Sequence, residues 1–315
     1  MRKINSGNLE ITTKVGCPLN CRACPQSLFI TRYGQKRPWE SEAPKQRPLL
    51  LSFADFKTCV DKLPPDTTID FSAWGEPCQN PAFADMVLYA SSAGRQLSLF
   101  STLVGMSLES YERIRGVPWK GVVLHIPDEQ GDSHFILSDE YLALLDLVLG
   151  DVAAGHFKVT GYSCHGSVHP VIRALFQKHA IPTPASSHLH DRAGNVKQEG
   201  LETHLHQSGH LDCMRHLNHN VLLPDGTVCL CCMDFGMDYI LGNLLVHSYR
   251  QIMKGEVIRN LRERMKSPKH GDCICRHCPL AWSGNAFEYA IRRIRMTVGL
   301  RTRLKRLWSR ITQRD

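Results

Sequence analysis

The sequence predicts an α/β fold: a mostly parallel sheet of about six β/α repeats, then a small cysteine-rich region and a basic tail. Three observations predict it. From residue 9 to about residue 190, strand-like segments alternate with amphipathic, helix-like segments. Residue types suited to chemistry follow the predicted strands, and the carboxyl ends of parallel strands share one edge of a sheet. Beyond residue 200 the alternation stops and a second group of cysteines follows.

The composition is that of a globular protein without an export signal. The chain has 315 residues, 43% of them hydrophobic. No apolar run reaches the roughly 18 residues that a membrane-spanning helix needs, and the amino terminus lacks an apolar signal region. Thirteen cysteines in such a chain indicate a reducing compartment and metal or redox chemistry rather than disulfides. We therefore expect a cytoplasmic protein.

The first predicted strand, residues 9–15, leads directly into Cys17, Cys21 and Cys24. Three thiolates can hold three irons of a 4Fe–4S cluster, whereas clusters held by protein alone normally use four cysteines. The next cysteine is Cys59, in a different predicted element. One iron would therefore be open to an outside ligand. A zinc knuckle is the weaker alternative because structural zinc prefers four ligands. Incidental burial of the cysteines is the other alternative.

The following segments predict a helix and a second strand. Residues 31–48 are polar and contain proline, which predicts an insertion. Ser52 is a candidate N-cap of a helix that ends before the two prolines at 64–65. Residues 67–73 alternate like a strand and lead into Trp74-Gly75-Glu76-Pro77.

Four more strand and helix pairs are predicted. The strands are at 96–102, 121–126, 157–162 and near 183–190, and the helices are at 82–93, 108–115, 139–149 and 170–179. Residues at these strand ends are candidates to contact a cofactor or substrate, although the same residue types are common in turns: Ser101, Thr102, His125 and Asp128.

The first half of the chain resembles the radical SAM superfamily, through the CxxxCxxC loop after the first strand and Gly-Glu-Pro after the second. Trp74 stands where that family has a glycine, and Ala23 stands where it usually has an aromatic residue. The resemblance implies a partial (β/α)6, TIM-like barrel. It also implies a 4Fe–4S cluster on the three cysteines, with S-adenosylmethionine (SAM) bound to the open iron and approached by Gly75 and Glu76.

The second cysteine group resembles the SPASM and twitch extensions of that superfamily, which carry auxiliary clusters. The expected ligands of one auxiliary 4Fe–4S cluster are Cys213, Cys231, Cys275 and Cys278. No cysteine follows Cys278, which favours the shorter twitch form, a β-hairpin with a helix. Cys229 or Cys273 could replace a chosen ligand, and a zinc ribbon is the main rival.

Two residues are candidates for catalytic roles. Arg192 lies in an Arg-Ala-Gly-Asn segment similar to one in these enzymes; it would point into the barrel and orient substrate hydroxyls or assist deprotonation. The alternative is a solvated loop arginine. Cys232 would line the substrate pocket and could donate a hydrogen atom, or it is simply a small buried side chain.

The resemblance implies reductive cleavage of SAM to a 5′-deoxyadenosyl radical that abstracts a substrate hydrogen. The spacing of the four auxiliary cysteines resembles that of 2-deoxy-scyllo-inosamine dehydrogenases. We therefore expect oxidation of a carbinol on a sugar, aminocyclitol or glycan precursor, with the auxiliary cluster taking the second electron. A flavodoxin- or ferredoxin-like protein would be the reductant.

Three alternatives remain. The first is sugar epimerisation with Cys232 as hydrogen donor. The second is peptide modification, disfavoured because the first strand begins within about ten residues of Met1. The third, from a different class, is a zinc or iron–sulfur nucleic-acid-binding protein.

The carboxyl-terminal tail holds the net charge. Residues 291–315 contain nine Lys or Arg and one Asp, so they carry the whole net charge of +8. Leu300, Leu304, Leu307 and Ile311 repeat at helical spacing among the cations. A basic amphipathic helix of this kind could bind peripherally to an anionic membrane, dock on the barrel, or remain exposed to solvent. Binding to nucleic acid is less expected. The predicted domains are 1–200, 201–285 and 286–315.

Overall fold

The structure is a computed structural model that describes residues 7–35, 47–187, 189–206, 211–215, 217–266 and 273–283. The predicted basic tail at 286–315 and most of the predicted insertion lie outside the described residues. Within the described ranges, no helix is long and apolar enough to cross a membrane.

The first part of the chain alternates strands and helices. Its elements are β1 Asn8–Ile11, α1 Gln26–Gln35, α2 Phe53–Asp61, β2 Thr68–Phe71, α3 Phe83–Ser92, β3 Leu97–Ser101, α4 Leu108–Ile114, β4 Trp119–His125, α5 Asp139–Ala153, β5 Gly161–Ser163 and α6 Pro170–Lys178. The second part is mostly short strands, followed by two helices. Its elements are β6 Leu211–Cys213, β7 His219–Leu222, β8 Thr227–Cys229, β9 Ile240–Asn243, α7 Tyr249–Met253, α8 Glu256–Lys266 and β10 Ala281–Ser283.

The two parts share one eight-stranded sheet, in the order β5-β4-β3-β2-β1-β7-β8-β9. Strands β1 to β5 pair in parallel, and β7 joins β1 in parallel on its other side. Strands β8 and β9 continue the sheet antiparallel. A separate antiparallel pair, β6 and β10, stands beside it. The predicted hairpin is therefore hydrogen-bonded to the barrel sheet, and the domain boundaries stay predictions.

Local chemistry sets the helix ends much as the sequence predicts. Ser52 caps α2 by accepting a hydrogen bond from the Asp55 backbone N–H at 3.0 Å. Ser107 and Ser138 cap α4 and α5 in the same way. Gly94, at φ +71°, follows α3 in a left-handed conformation that glycine adopts without strain.

Two predicted segments are corrected. The start of the predicted insertion, residues 31–35, belongs to α1, because Phe29 and Tyr33 are both buried on one helix face. No strand forms near 183–190 among the described residues, where the backbone makes only an isolated bridge between His190 and Glu202. Pro182 and Pro184 have no N–H to donate to a sheet, which explains the missing strand.

Successive side chains of β1 point to opposite faces of the sheet. Leu9 and Ile11 are at most 1% exposed and pack in the main core with Phe56 of α2. Glu10, between them, is only 5% exposed although it carries a carboxyl group. The face of the sheet that carries Glu10 is therefore polar, and it leads toward the strand ends where the cysteines lie.

Candidate functional site

A cavity of about 280 Å³ lies at the carboxyl ends of the parallel strands. Each strand from β2 to β5 contributes a residue at or just beyond its end, and the loop after β1 contributes three cysteines, as expected for a parallel α/β sheet. The segment after α6 closes the remaining side. The lining includes Cys17, Cys21, Cys24, Gly75, Glu76, Thr102, His125, Ser163, His165 and Arg192.

The three predicted cluster cysteines come together on this cavity. Burial raises the pKa of the Cys17 thiol to about 12 and that of Cys21 to about 11. A bound metal would reverse this preference, because it stabilises the thiolate directly. Among the described residues, no three His, Cys, Asp or Glu side chains are arranged as ligands of a single metal ion. Three thiols on one wall of a cavity fit the donor set of a cluster that shares its fourth iron with another ligand.

Gly75 lies where the loop after β2 crosses the loop after β1. A Cβ atom at this position would lie 2.7 Å from the Lys14 carbonyl oxygen, so only glycine fits without a shift of the backbone. Next to it, the Trp74 carbonyl oxygen accepts a 2.6 Å hydrogen bond from the Gln26 side chain. The other amide atom of Gln26, Oε1, is buried without a partner among the described residues. Gln26 lines the cavity, so a ligand could satisfy this atom.

Glu76 is held rigidly at the cavity wall. Its carboxylate accepts hydrogen bonds from Ser101 Oγ at 2.6 Å and from both Thr102 N and Thr102 Oγ1, at 2.7 and 2.6 Å. The Cys78 N–H adds a fourth bond at 3.0 Å. Ser101 was expected to contact a ligand, but it is 1% exposed, is not among the residues that line the cavity, and is bonded to Glu76 instead.

Asp128 also differs from its predicted role. Its carboxylate accepts the backbone N–H groups of Asp132 at 2.8 Å and Ser133 at 3.2 Å, and it is 5% exposed. It is not among the cavity-lining residues. Asp128 therefore fixes the loop after β4, which in turn positions Ser133 against His125 at 3.2 Å.

Arg192 lines the cavity from the segment after α6. Its backbone is left-handed, at φ +52°, and its Nε donates to the Ala23 carbonyl oxygen at 3.4 Å. The guanidinium lowers the pKa of the Cys24 thiol against the larger effect of burial, and it acts on Cys232 in the same sense. Arg192 therefore lies near both cysteine groups.

A second, small cavity of about 30 Å³ lies beside β6 and β8. All four predicted auxiliary ligands line it: Cys213, Cys231, Cys275 and Cys278. The two alternative ligands are not among its lining residues. Cys229 is fully buried in a core with Trp74. Cys273 shares a hydrogen bond with Cys275, which lowers the pKa of the Cys273 thiol and raises that of the Cys275 thiol. Four converging thiols fit the donor set of an auxiliary cluster.

Cys232 lines this second cavity and not the first, which corrects its predicted place in the substrate pocket. Arg215 Nη1 donates to Cys232 Sγ and to Glu10 Oε1, both at 3.0 Å. Burial raises the pKa of Glu10 to about 7, although the Arg215 guanidinium opposes this shift. The roles of Glu10 and Arg215 were not predicted from the sequence. The only signal was an acidic residue between two apolar ones in a strand.

Trp74 connects the two cavities. It is fully buried, with ring centroids 4.9 Å from Phe29 in α1 and 5.1 Å from Phe235 beyond β8. Its Nε1 donates to the Cys232 carbonyl oxygen at 3.1 Å. The residue that departs from the Gly-Gly-Glu-Pro pattern thus joins the Glu76 loop to the auxiliary region.

Residues 213–279, which contain the second cavity's cysteines, match the family model of the SPASM iron-sulfur cluster-binding domain. The sheet and helices match solved radical SAM partial barrels over most of the chain. This chain shares that partial-barrel fold. A search of curated proteins finds no significant match in sequence.

Two solved proteins illustrate the similarity. BtrN in complex with AdoMet and 2-DOIA aligns with a TM-score of 0.57 and 15% identity, over 87% of this chain and 92% of BtrN. BtrN in an open conformation aligns with a TM-score of 0.52 and 15% identity, over 89% of this chain and 94% of the BtrN chain. Streptococcus suis SuiB bound to the precursor peptide SuiA aligns with a TM-score of 0.52 and 10% identity, over 81% of this chain and 66% of the SuiB chain. At these identities the likeness supports the fold alone.

Proposed function

We propose that this protein is a radical SAM oxidoreductase that removes a hydrogen atom from a carbinol carbon and completes the oxidation to a ketone. The observation that carries the proposal is the pair of cysteine-lined cavities joined through Trp74. One is lined by three cysteines beside Gly75 and Glu76, and the other is lined by five, the four predicted ligands and Cys232. A single-cluster enzyme would not need the second set.

The residues of the first cavity divide into two groups. Cys17, Cys21 and Cys24 would hold a 4Fe–4S cluster, and the Gly75–Glu76 turn would receive the amino end of SAM. Together, the bound cluster and SAM would supply a 5′-deoxyadenosyl radical. Glu76 is a suitable partner for an ammonium because four hydrogen bonds fix its carboxylate at the wall.

The remaining residues would direct the oxidation. Removal of one hydrogen atom from a carbinol leaves one electron and one proton to lose. Cys213, Cys231, Cys275 and Cys278 would hold an auxiliary cluster, which would supply an acceptor for the electron, and the hydroxyl proton would pass to solvent. Arg192, on the cavity wall, would orient the substrate hydroxyl by donating hydrogen bonds to its oxygen. BtrN, a radical SAM dehydrogenase acting on 2-deoxy-scyllo-inosamine, supports this class of reaction.

Epimerisation with Cys232 as hydrogen donor is less favoured. The Cys232 side chain faces the second cavity and is bonded to Arg215, so it lies away from the cavity in which substrate would bind. Product analysis in heavy water separates the two reactions. A deuteron retained on the substrate carbon would indicate epimerisation, whereas loss of two electrons would indicate oxidation.

Metal analysis of anaerobically reconstituted protein tests the proposal directly. Two clusters predict about eight irons and eight sulfides per chain. About four irons with one zinc would exclude the auxiliary cluster. With a flavodoxin- or ferredoxin-like reductant, the protein should form 5′-deoxyadenosine from SAM, and Cys24→Ala should abolish this. Salt-dependent nucleic-acid binding without SAM cleavage would instead favour the nucleic-acid-binding alternative.

A further inference from the structure

One side of the first cavity is a set of imidazoles and hydroxyls without charge. It comprises His125, His165, His190, Ser163 and Ser187, here called the imidazole wall, all of which line the cavity. The His125 Nδ1 and Ser163 Oγ atoms are 3.2 Å apart, and Ser163 Oγ is 3.1 Å from Ser187 Oγ. The His125 and His165 rings lie 4.2 Å apart between centroids.

Both ring nitrogens of His125 are engaged, because Ser133 Oγ lies 3.2 Å from Nε2. The same hydroxyl is 3.3 Å from His165 Nδ1, so one serine joins the two imidazoles. A close pair of imidazoles cannot both be charged at low cost. Burial lowers the pKa of His125 to about 3, helped by His165 and Arg192 and opposed by Asp128. Burial also lowers the pKa of His165 and of His190.

Neutral imidazoles and hydroxyls both donate and accept hydrogen bonds, as the hydroxyls of a sugar or cyclitol do. The wall is thus suited to a polyhydroxylated ligand. Arg192 adds a cation to this cavity. Its guanidinium has no ion pair among the described residues and donates only to Ala23 through Nε.

The part of the cavity lining that the structure describes offers no free carboxylate for an ammonium on the substrate. Among the described residues, Glu76 is the one carboxylate that lines the cavity, and the proposed function already assigns it to the ammonium of SAM. Asp128 is bonded to its own loop, and Glu10 is paired with Arg215. Glu202, whose Oε2 is 3.9 Å from His190 Nδ1, is 55% exposed and is not part of the lining. Asp191 is likewise outside the described lining.

We propose that the cavity takes a polyhydroxylated substrate that is neutral or carries an acidic group, and that it selects against a substrate with an ammonium beside the reacting carbinol. This inference rests on the proposed function and narrows it. It separates the substrate from the amine class to which 2-deoxy-scyllo-inosamine, the substrate of BtrN, belongs. An ammonium here would lose its hydration, face Arg192, and find no free carboxylate among the described lining residues.

Binding of three matched sugars to the reconstituted, SAM-loaded and unreduced protein tests this. Glucose, glucosamine and glucuronate share a ring and differ in charge, and saturation-transfer NMR can rank their dissociation constants. We expect glucosamine to bind at least about tenfold more weakly than glucose, and glucuronate to bind at least as well as glucose. Tighter binding of glucosamine, equal binding of glucose and glucosamine, or no binding of any of the three would overturn the inference.

A paired substitution sharpens the test. Ser187→Asp adds a carboxylate to the wall and should shift the glucosamine-to-glucuronate preference by about tenfold toward glucosamine. Ser167→Asp adds the same charge on an exposed residue that is not part of the lining and should leave the preference unchanged. Equal shifts in both variants would contradict the inference. SAM cleavage without added sugar is measured separately, so failure of the radical chemistry is distinguishable from a wrong charge class.

Discussion

Replacing Trp74 by glycine would restore the motif that the resemblance leads one to expect, and it should damage the protein. Trp74 is fully buried between Phe29 and Phe235. Truncation of a buried Trp costs about 3–5 kcal/mol, and loss of the Nε1 bond to the Cys232 carbonyl costs about 1 kcal/mol more. We therefore expect Trp74→Gly to lower the free energy of unfolding by about 5 kcal/mol. Trp74→Phe keeps most of the ring contacts and should cost about 2 kcal/mol.

Urea unfolding of the cluster-free protein, followed by far-ultraviolet circular dichroism, measures both changes. Trp119→Phe is a matched control, because Trp119 is half-buried and its Nε1 bonds to Ile114 within the barrel at 3.3 Å. The control should cost no more than about 1 kcal/mol. A Trp74→Gly variant within about 1 kcal/mol of the original protein would refute the idea that this tryptophan holds the two cavities together.

Three further predictions concern single residues. Thr102→Val removes the hydroxyl bonded to Glu76 and should lower the free energy of unfolding by about 2 kcal/mol in urea titrations; an unchanged midpoint would contradict it. The pKa of Glu10 is about 7 in the folded protein and 4.5 in the unfolded chain, so the free energy of unfolding should fall by up to about 3 kcal/mol as the pH rises from 4.5 to 7. Glu10→Gln should abolish this pH dependence. An unaltered pH dependence in the variant would show that Glu10 is not its source. Cys229→Ala should keep about eight irons per chain, whereas Cys275→Ala should lose about four. Equal losses of iron in the two variants would contradict the choice of Cys275 over Cys229 as a cluster ligand.

What the sequence predicts well is what depends on near neighbours. Ser52 caps α2 because its hydroxyl lies three residues before the N–H that it binds. The cysteine loop and the Gly75–Glu76 turn reach one cavity because parallel strands place their ends on one edge. The same rule brings His125 there, at the end of β4.

What the sequence did not predict depends on distant partners. Glu10 and Arg215 are 205 residues apart, and only the addition of β7 beside β1 brings them together. Strand-end position did not distinguish Thr102, which lines the cavity, from Ser101, which is buried against Glu76. The missing sixth strand was visible in principle, because two prolines lie in that segment.

The pairing of β7 with β1 also fixes the relative positions of two cysteine sites from distant parts of the chain. In the proposed reaction, transfer of an electron from the substrate would require such a fixed separation between the cavities, and a flexible linker would not provide one. Here four backbone-paired positions join β1 to β7, and side chains cross the same boundary. Trp74 bonds to the Cys232 carbonyl, Arg215 joins Glu10 to Cys232, and Arg47 pairs with Asp225 of the hairpin. Because the sheet itself fixes the distance between the cavities, substitutions at this boundary should reduce the yield of oxidised product more than they reduce the formation of 5′-deoxyadenosine from SAM.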